Sequence, residues 1–259
     1  MENNFVELIQ FIEKKTSFPC TKYKVRPLQR RIRVRMRDLG IVDFSQYYEF
    51  LKNNPEEFEK LLSVLTINLS YFFRNPETFN YLKESIFVEL SKKERLIFWS
   101  AGCAQGEEPY SLALLAAEMG MLERIKIYGT DIDQKALSQA KEGIYLPVTF
   151  QYTPQYLIEK YFNKKNNHFQ IIEEIRSVVE FYNLDLFSNV PFRDCDLIMC
   201  RNVLIYLQKE AQSELLLKFY KLLKPAGYLV IGKVELLLGI PEAKFFEPVS
   251  QAERIYRKI

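Results

Sequence analysis

The chain has 259 residues, 48% of them hydrophobic, and its 36 Lys and Arg against 33 Asp and Glu leave a net charge of +3. Such a chain fills the core of one large domain, or of a medium domain with a small companion, and is too nearly neutral to bind polyanions over its whole surface. No run of about 18 apolar residues marks a membrane span, and the single histidine, His168, argues against histidine triads and histidine-rich metal sites.

In chain order, "MENNFVELIQFIEKK" is acidic and amphipathic and lacks the layout of a signal peptide. Val25, Leu28, Ile32, Met36 and Leu39 recur at helical spacing, with Pro27 in the first turn and Gly40 as a stop. "DFSQYYEFLKNN" and "PEEFEKLLSVLTINL" continue as amphipathic helices, so the first 75 or so residues read as helical. After residue 95 short apolar runs take over: 95–102, 124–133, 177–186, 196–207 and 227–232. They alternate with helical stretches at 107–119, 134–141 and 210–224. Strands alternating with helices predict an α/β fold, a mainly parallel sheet with helices on both faces. "AERIYRKI" is expected to add an antiparallel edge strand, and "NKKNNH" reads as a polar turn between short strands. Cys20, Cys103, Cys195 and Cys200 form no C-x-x-C pair, which predicts reduced, mostly buried thiols in a cytoplasmic protein.

The chemistry concentrates at "WSAGCAQGEEPYS", a strand end, a glycine turn and a helix start. Ligands of open α/β sheets sit at such turns, and Gly102 and Gly106 allow close backbone approach. The spacing is G-x-x-x-G, however, unlike the dinucleotide fingerprint, and Glu107 and Glu108 stand where a phosphate would need a helix N-terminus free of carboxylates. The second strand ends in "GTDID", where Asp131 can accept hydrogen bonds from ribose hydroxyls and Asp133 can cap the next helix. A ligand with ribose, no phosphate and a cationic end satisfies both features. S-adenosylmethionine (AdoMet) is such a ligand, with Glu107 suited to its ammonium group.

Together with "TDID", "NLSYFFR", "CRNVLIYL" and "LLKPAGYLVIG", the glycine turn resembles the CheR-type chemotaxis-receptor glutamate O-methyltransferases from about residue 22 to 259. The resemblance implies a Rossmann-like AdoMet-dependent methyltransferase domain over 76–259, a short β subdomain at about 161–180 within it, and a helical domain over 1–75. It places Asn68, Ser70, Arg74, Gly102, Glu107, Asp131, Asn183, Leu184, Arg201 and Asn202 at the cofactor, with Arg201 either touching it or bracing the loop. Arg74 and Tyr206 become the residues that orient the reacting carboxylate. The implied products are glutamate methyl esters on methyl-accepting receptors and S-adenosylhomocysteine (AdoHcy), with no metal. Ser70 stands for the usual threonine, Ala104-Gln105 for the commoner Ser-Thr, and "GKVE" (232–235) for "GHSE" or "GSSE". The segment 163–169 is short beside members that grip a receptor's C-terminal pentapeptide, so such tethering is not expected.

Arg30, Arg31, Arg33, Arg35 and Arg37 crowd the faces that the apolar stripe of the second helix leaves free. A solvated surface, a phosphate-binding face and a docking face for an acidic protein helix are all compatible with that run. No RNA-binding motif accompanies it, and the resemblance favours the receptor's cytoplasmic helical region as partner of a monomeric enzyme that does not insert into membranes. A cofactor-binding module without turnover, and a methyltransferase for RNA or a small molecule, are the other readings. The set Arg74, Glu107, Asp131 and Tyr206 favours the enzyme.

Overall fold

A computed structural model describes residues 2–66 and 68–259, so Met1 of the N-terminal stretch and Ile67 of the expected helix over 55–69 lie outside the described residues. Contacts divide the chain into two units, Met1–Ile67 with Tyr206–Gln212, and Asn68–Ile205 with Ser213–Ile259.

The first unit is built on α1 (Glu2–Thr16), α2 (Val25–Asp38), α3 (Phe44–Asn53) and α4 (Glu57–Leu65). The stripe foreseen for α2 is buried at Leu28, Ile32 and Met36, while Val25 at its start is exposed. Asp43 caps α3 by accepting from the backbone N–H groups of Ser45 and Gln46, which orders the first turn. Arg35 reaches the buried Glu57 with Nε at 2.5 Å and Nη2 at 2.9 Å, tying α2 to α4 through a forked ion pair.

The second unit opens with α5 (Pro76–Tyr81), which runs through one π-turn (Leu82–Phe87) into α6 (Val88–Leu90). There follow β1 (Leu96–Ala101), α7 (Glu107–Glu118), β2 (Ile125–Asp131), α8 (Gln134–Glu142), β3 (Ile144–Tyr145), α9 (Gln155–Tyr161), β4 (Phe162–Lys165), β5 (His168–Ile171), α10 (Glu173–Arg176) and β6 (Val179–Asn183). The chain ends with β7 (Cys195–Cys200), α11 (Lys209–Leu222), β8 (Leu223–Ile231), β9 (Phe246–Ser250) and β10 (Ile255–Lys258).

Seven strands form one sheet in the order β6-β2-β1-β7-β8-β10-β9, parallel from β6 to β8 and antiparallel at β10 and β9. All six residues of β7 are buried, as expected for a parallel strand covered on both faces. Strand order reverses between β1 and β7, the switch point at which such sheets hold ligands. Trp99 of β1 anchors the core edge-on to Phe192 and Phe219 and donates its Nε1–H to the Thr130 hydroxyl at 3.0 Å.

Two expectations need correction. The terminal strand is antiparallel but internal; the edge is β9, whose Pro248 interrupts its pattern. The β subdomain is a three-stranded sheet, β3-β5-β4, that draws a strand from 144–145 as well as from 162–171. The run at 177–186 joins the large sheet as β6, as its apolar character led one to expect, and the subdomain therefore stops short of 180. The turn at "NKKNNH" is present, with Asn166 in the left-handed region. All four cysteines are buried and free.

Gly106 ends the turn that enters α7 at φ +90°, and a Cβ there would stand 2.9 Å from the Ala140 methyl and 3.2 Å from the Tyr145 hydroxyl. Gly106→Ala is therefore expected to destabilise the protein by about 1–3 kcal/mol, read as a lowered midpoint in urea with unchanged slope. A midpoint equal to the parent's would show that the turn is not constrained as described.

Candidate functional site

At the carboxyl end of β1, the chain turns through Gly102 (φ +80°), where a Cβ would meet the Val203 side chain at 2.8 Å. The turn leans on β2: the N–H groups of Gly102 and Cys103 both donate to the Thr130 carbonyl, at 2.8 and 2.9 Å. Asp131 completes the brace, accepting from Ala104 N at 2.8 Å and Asp133 N at 2.9 Å. Burial raises the Asp131 carboxyl above its usual range against the pull of those N–H groups. Asp133 caps α8, as anticipated, and accepts from the Asn68 amide at 2.7 Å. Asn183 donates to the carbonyls of Asp131 and Ile132, at 3.1 and 2.9 Å, and Leu184 N donates to that of Asp131 at 3.0 Å.

The two glutamates of the turn have different fates. Glu108 accepts from the Ser100 hydroxyl at 2.7 Å and faces Arg201 at 3.4 Å, so it is an internal brace. Glu107 is 1% exposed; Ser70 hydrogen-bonds its side chain, but its Oε2 has no partner among the described residues. Desolvation pushes its carboxyl up from 4.5 to about 7, against its own backbone N–H and Ser70. A helix N-terminus favours a carboxylate by about 0.3–1 kcal/mol, whereas that shift corresponds to about 3 kcal/mol, so burial wins. Other buried carboxylates of the same unit are satisfied. Asp196 meets Lys93 and Lys224 at 2.8 and 2.7 Å. Glu235 accepts from Asn202 N at 3.1 Å, Ile205 N at 3.2 Å and Gly232 N. Glu107 is the carboxylate here whose buried oxygen has no partner among the described residues.

Arg201 is buried behind this turn. Its Nη2 donates to the Arg74 carbonyl at 2.8 Å and to Asn75 Oδ1 at 2.5 Å, fixing a turn in which Phe73 and Asn75 are both left-handed. Of the two roles left open for Arg201, bracing is the one these bonds describe. The Arg74 side chain reaches the Leu69 carbonyl at 3.0 Å. Asn202, left-handed at φ +61°, is held through its N–H by Glu235. Sequence reasoning missed Glu108 and Glu235 as braces; for Glu235 the signal was its place three residues after Gly232, from which a carboxylate folds back onto the Gly232 N–H.

The candidate residues from Asn68 to Asn202 all lie in the second unit, whereas Tyr206 groups with the first. There the Arg31 guanidinium lies 4.2 Å over the Tyr206 ring, and Lys24 N donates to the Tyr206 carbonyl at 2.8 Å. The docking face also needs correction. Arg31 is buried, with its Nη1 bonded to the Leu65 carbonyl, and Arg35 is engaged by Glu57 and Asp38. Arg30, Arg33 and Arg37 are exposed and, with Arg26, Gln29 and Val34, line an open depression of about 480 Å³.

The CheR methyltransferase SAM-binding domain matches residues 68–253, and the CheR methyltransferase all-alpha domain matches residues 3–66. The chain belongs to the CheR methyltransferase family. It is 31% identical to the chemotaxis protein methyltransferase of Borreliella burgdorferi, over 94% of this chain and 91% of that protein. The corresponding proteins of Salmonella typhimurium and Escherichia coli are 34% and 33% identical, each over 90% of this chain and over 83% and 84% of their own lengths. In this CheR chain the partnerless oxygen of Glu107 suits the cationic end of AdoMet, the ligand of the matched domain.

Because its value in the folded protein lies above that in an unfolded chain, protonated Glu107 favours the fold below about pH 4.5, and this stability is lost as pH rises through about 7. Ligand-free Glu107→Gln is therefore expected to exceed the parent in stability by about 2–3 kcal/mol at pH 8 and to match it near pH 4. Urea unfolding at the two pH values measures this; a variant no more stable than the parent at pH 8 would contradict the uncompensated burial.

Proposed function

We propose that the protein transfers the methyl group of AdoMet to glutamate side chains of methyl-accepting chemotaxis receptors. The observation that carries this reading is the buried, partnerless Glu107 oxygen in a CheR SAM-binding domain. The relatives' designation as chemotaxis protein methyltransferases supports the acceptor.

AdoMet supplies a methyl group already activated by a positive sulfur. The acceptor needs no base, because a glutamate with a pKa near 4.3 is ionised at neutral pH. A bond forms from carboxylate oxygen to methyl carbon, the carbon–sulfur bond breaks with its electron pair passing to sulfur, and no proton moves. The chain's work is alignment, with the oxygen held about 3–3.5 Å from the methyl carbon and in line with sulfur. Glu107 would hold the ammonium group of AdoMet, and Asp131 and Asn183, at adjacent strand ends, would hold its ribose and adenine. Asn68, Ser70, Gly102, Leu184 and Asn202 complete the walls. Arg74 attracts the incoming carboxylate and orients it without taking a proton. Arg26, Arg30, Arg33 and Arg37 form the exposed face on which an acidic receptor helix docks, a steering term that weakens with salt.

Incubation with methyl-labelled AdoMet and chemoreceptor membranes is expected to place base-labile label on receptor; label confined to RNA, or tight AdoMet binding without transfer, would overturn the reading. Arg74→Ala is expected to slow transfer by about 10²–10³-fold while leaving the protein folded. Unimpaired turnover would remove Arg74 from the site.

A further inference from the structure

The loop that leaves β8 exposes apolar side chains in alternation. Val234, Leu236 and Leu238 are 71%, 54% and 84% exposed, whereas Glu235, Leu237 and Ile240 between and beyond them are buried. The loop is also fixed. Glu235 clasps the N–H groups of Gly232, Asn202 and Ile205. Lys233 pairs with Glu77 and Glu253, each at 3.1 Å. Ile240 N donates to the Leu237 carbonyl at 3.2 Å. Three large apolar side chains are therefore held in water by an ordered backbone, and full burial of each is worth about 1.5–3 kcal/mol.

The sheet order indicates what covers them. Asn183 ends β6, Asp131 ends β2 and Glu107 follows β1, so the proposed adenine, ribose and ammonium contacts occupy consecutive positions in the order β6-β2-β1. A cofactor laid along them closes that half of the crevice and leaves the β7–β8 side for the acceptor. Asn202 follows β7, and the base of the apolar loop lies against it: a Cβ at Gly232 would stand 2.9 Å from Asn202 N. The loop after β8 therefore borders the approach to the reacting methyl group. Its apolar surface suits a polypeptide and serves no purpose for a free carboxylic acid.

We infer that Val234, Leu236 and Leu238 form the acceptor-side platform, packing against apolar side chains of the polypeptide that carries the target glutamate. This rests on the receptor-methylating reading above and deepens it. The platform adds an apolar contact beside the reacting carboxylate, distinct from the basic face of α2, and insensitive to salt where that face is sensitive.

The test replaces all three residues, Val234→Ser, Leu236→Ser and Leu238→Ser, in the full chain, and measures initial rates against receptor concentration together with calorimetric AdoHcy binding. The expected result is a KM for receptor raised at least about tenfold, with kcat and AdoHcy affinity within about twofold of the parent. An unchanged KM overturns the inference. So does an equal loss of AdoHcy affinity, which would assign the loop to the cofactor, or a parent dimer in sedimentation that the triple variant abolishes, which would assign it to a second copy. Parent protein without any transfer sinks the functional reading and the platform with it; parent transfer with an unaffected variant sinks the platform alone.

Discussion

A carboxylate withdrawn from water and given no cation is costly, and the arrangement around Glu107 keeps one in that condition. Gly106 turns the chain so that Glu107 begins α7 facing inward, Ser70 supplies a single hydroxyl, and the remaining oxygen has no partner among the described residues. Asp196 and Glu235 show that the same unit compensates buried carboxylates elsewhere, with two lysines in one case and three backbone N–H groups in the other. The deficit at Glu107 therefore favours a ligand that brings its own positive charge, and it disfavours a dinucleotide, whose pyrophosphate would meet a carboxylate at the helix N-terminus.

Around this point the polar side chains divide their labour. Asp131, Asn183 and Asn68 knit the strand ends of β1, β2 and β6 into one rim. Arg201 and Glu108 fix the strained turn that carries Arg74, and Glu235 fixes the left-handed start of the segment after β7. Such bracing is what alignment chemistry requires. When the nucleophile is already charged and the leaving group already activated, rate depends on how narrowly the two are held.

Much of this was legible in the sequence. Alternation of apolar runs with helical stretches revealed the parallel sheet, because buried parallel strands are almost uniformly apolar. The G-x-x-x-G turn followed by two glutamates pointed to a cationic ligand on charge grounds alone. The misses have physical causes. Ile144–Tyr145 is too short a strand to show a period, and Pro248 disguises the edge strand. Arg31 and Arg35 looked like surface charges because a helical wheel cannot know that Leu65, Tyr206 and Glu57 lie across from them. Nor can spacing separate Glu107 from Glu108; adjacent residues on a helix point in different directions, and only the fold shows that one meets Arg201 while the other does not.

Calorimetric titration of AdoHcy into the parent and Glu107→Gln proteins at pH 8 tests the central claim most directly, since AdoHcy keeps the ammonium group and lacks the sulfonium. Loss of a charge-assisted bond at a buried site predicts affinity weakened by about 10–100-fold, while the variant remains folded. Equal affinity for the two proteins would mean that the buried carboxylate does not receive the ligand's cation.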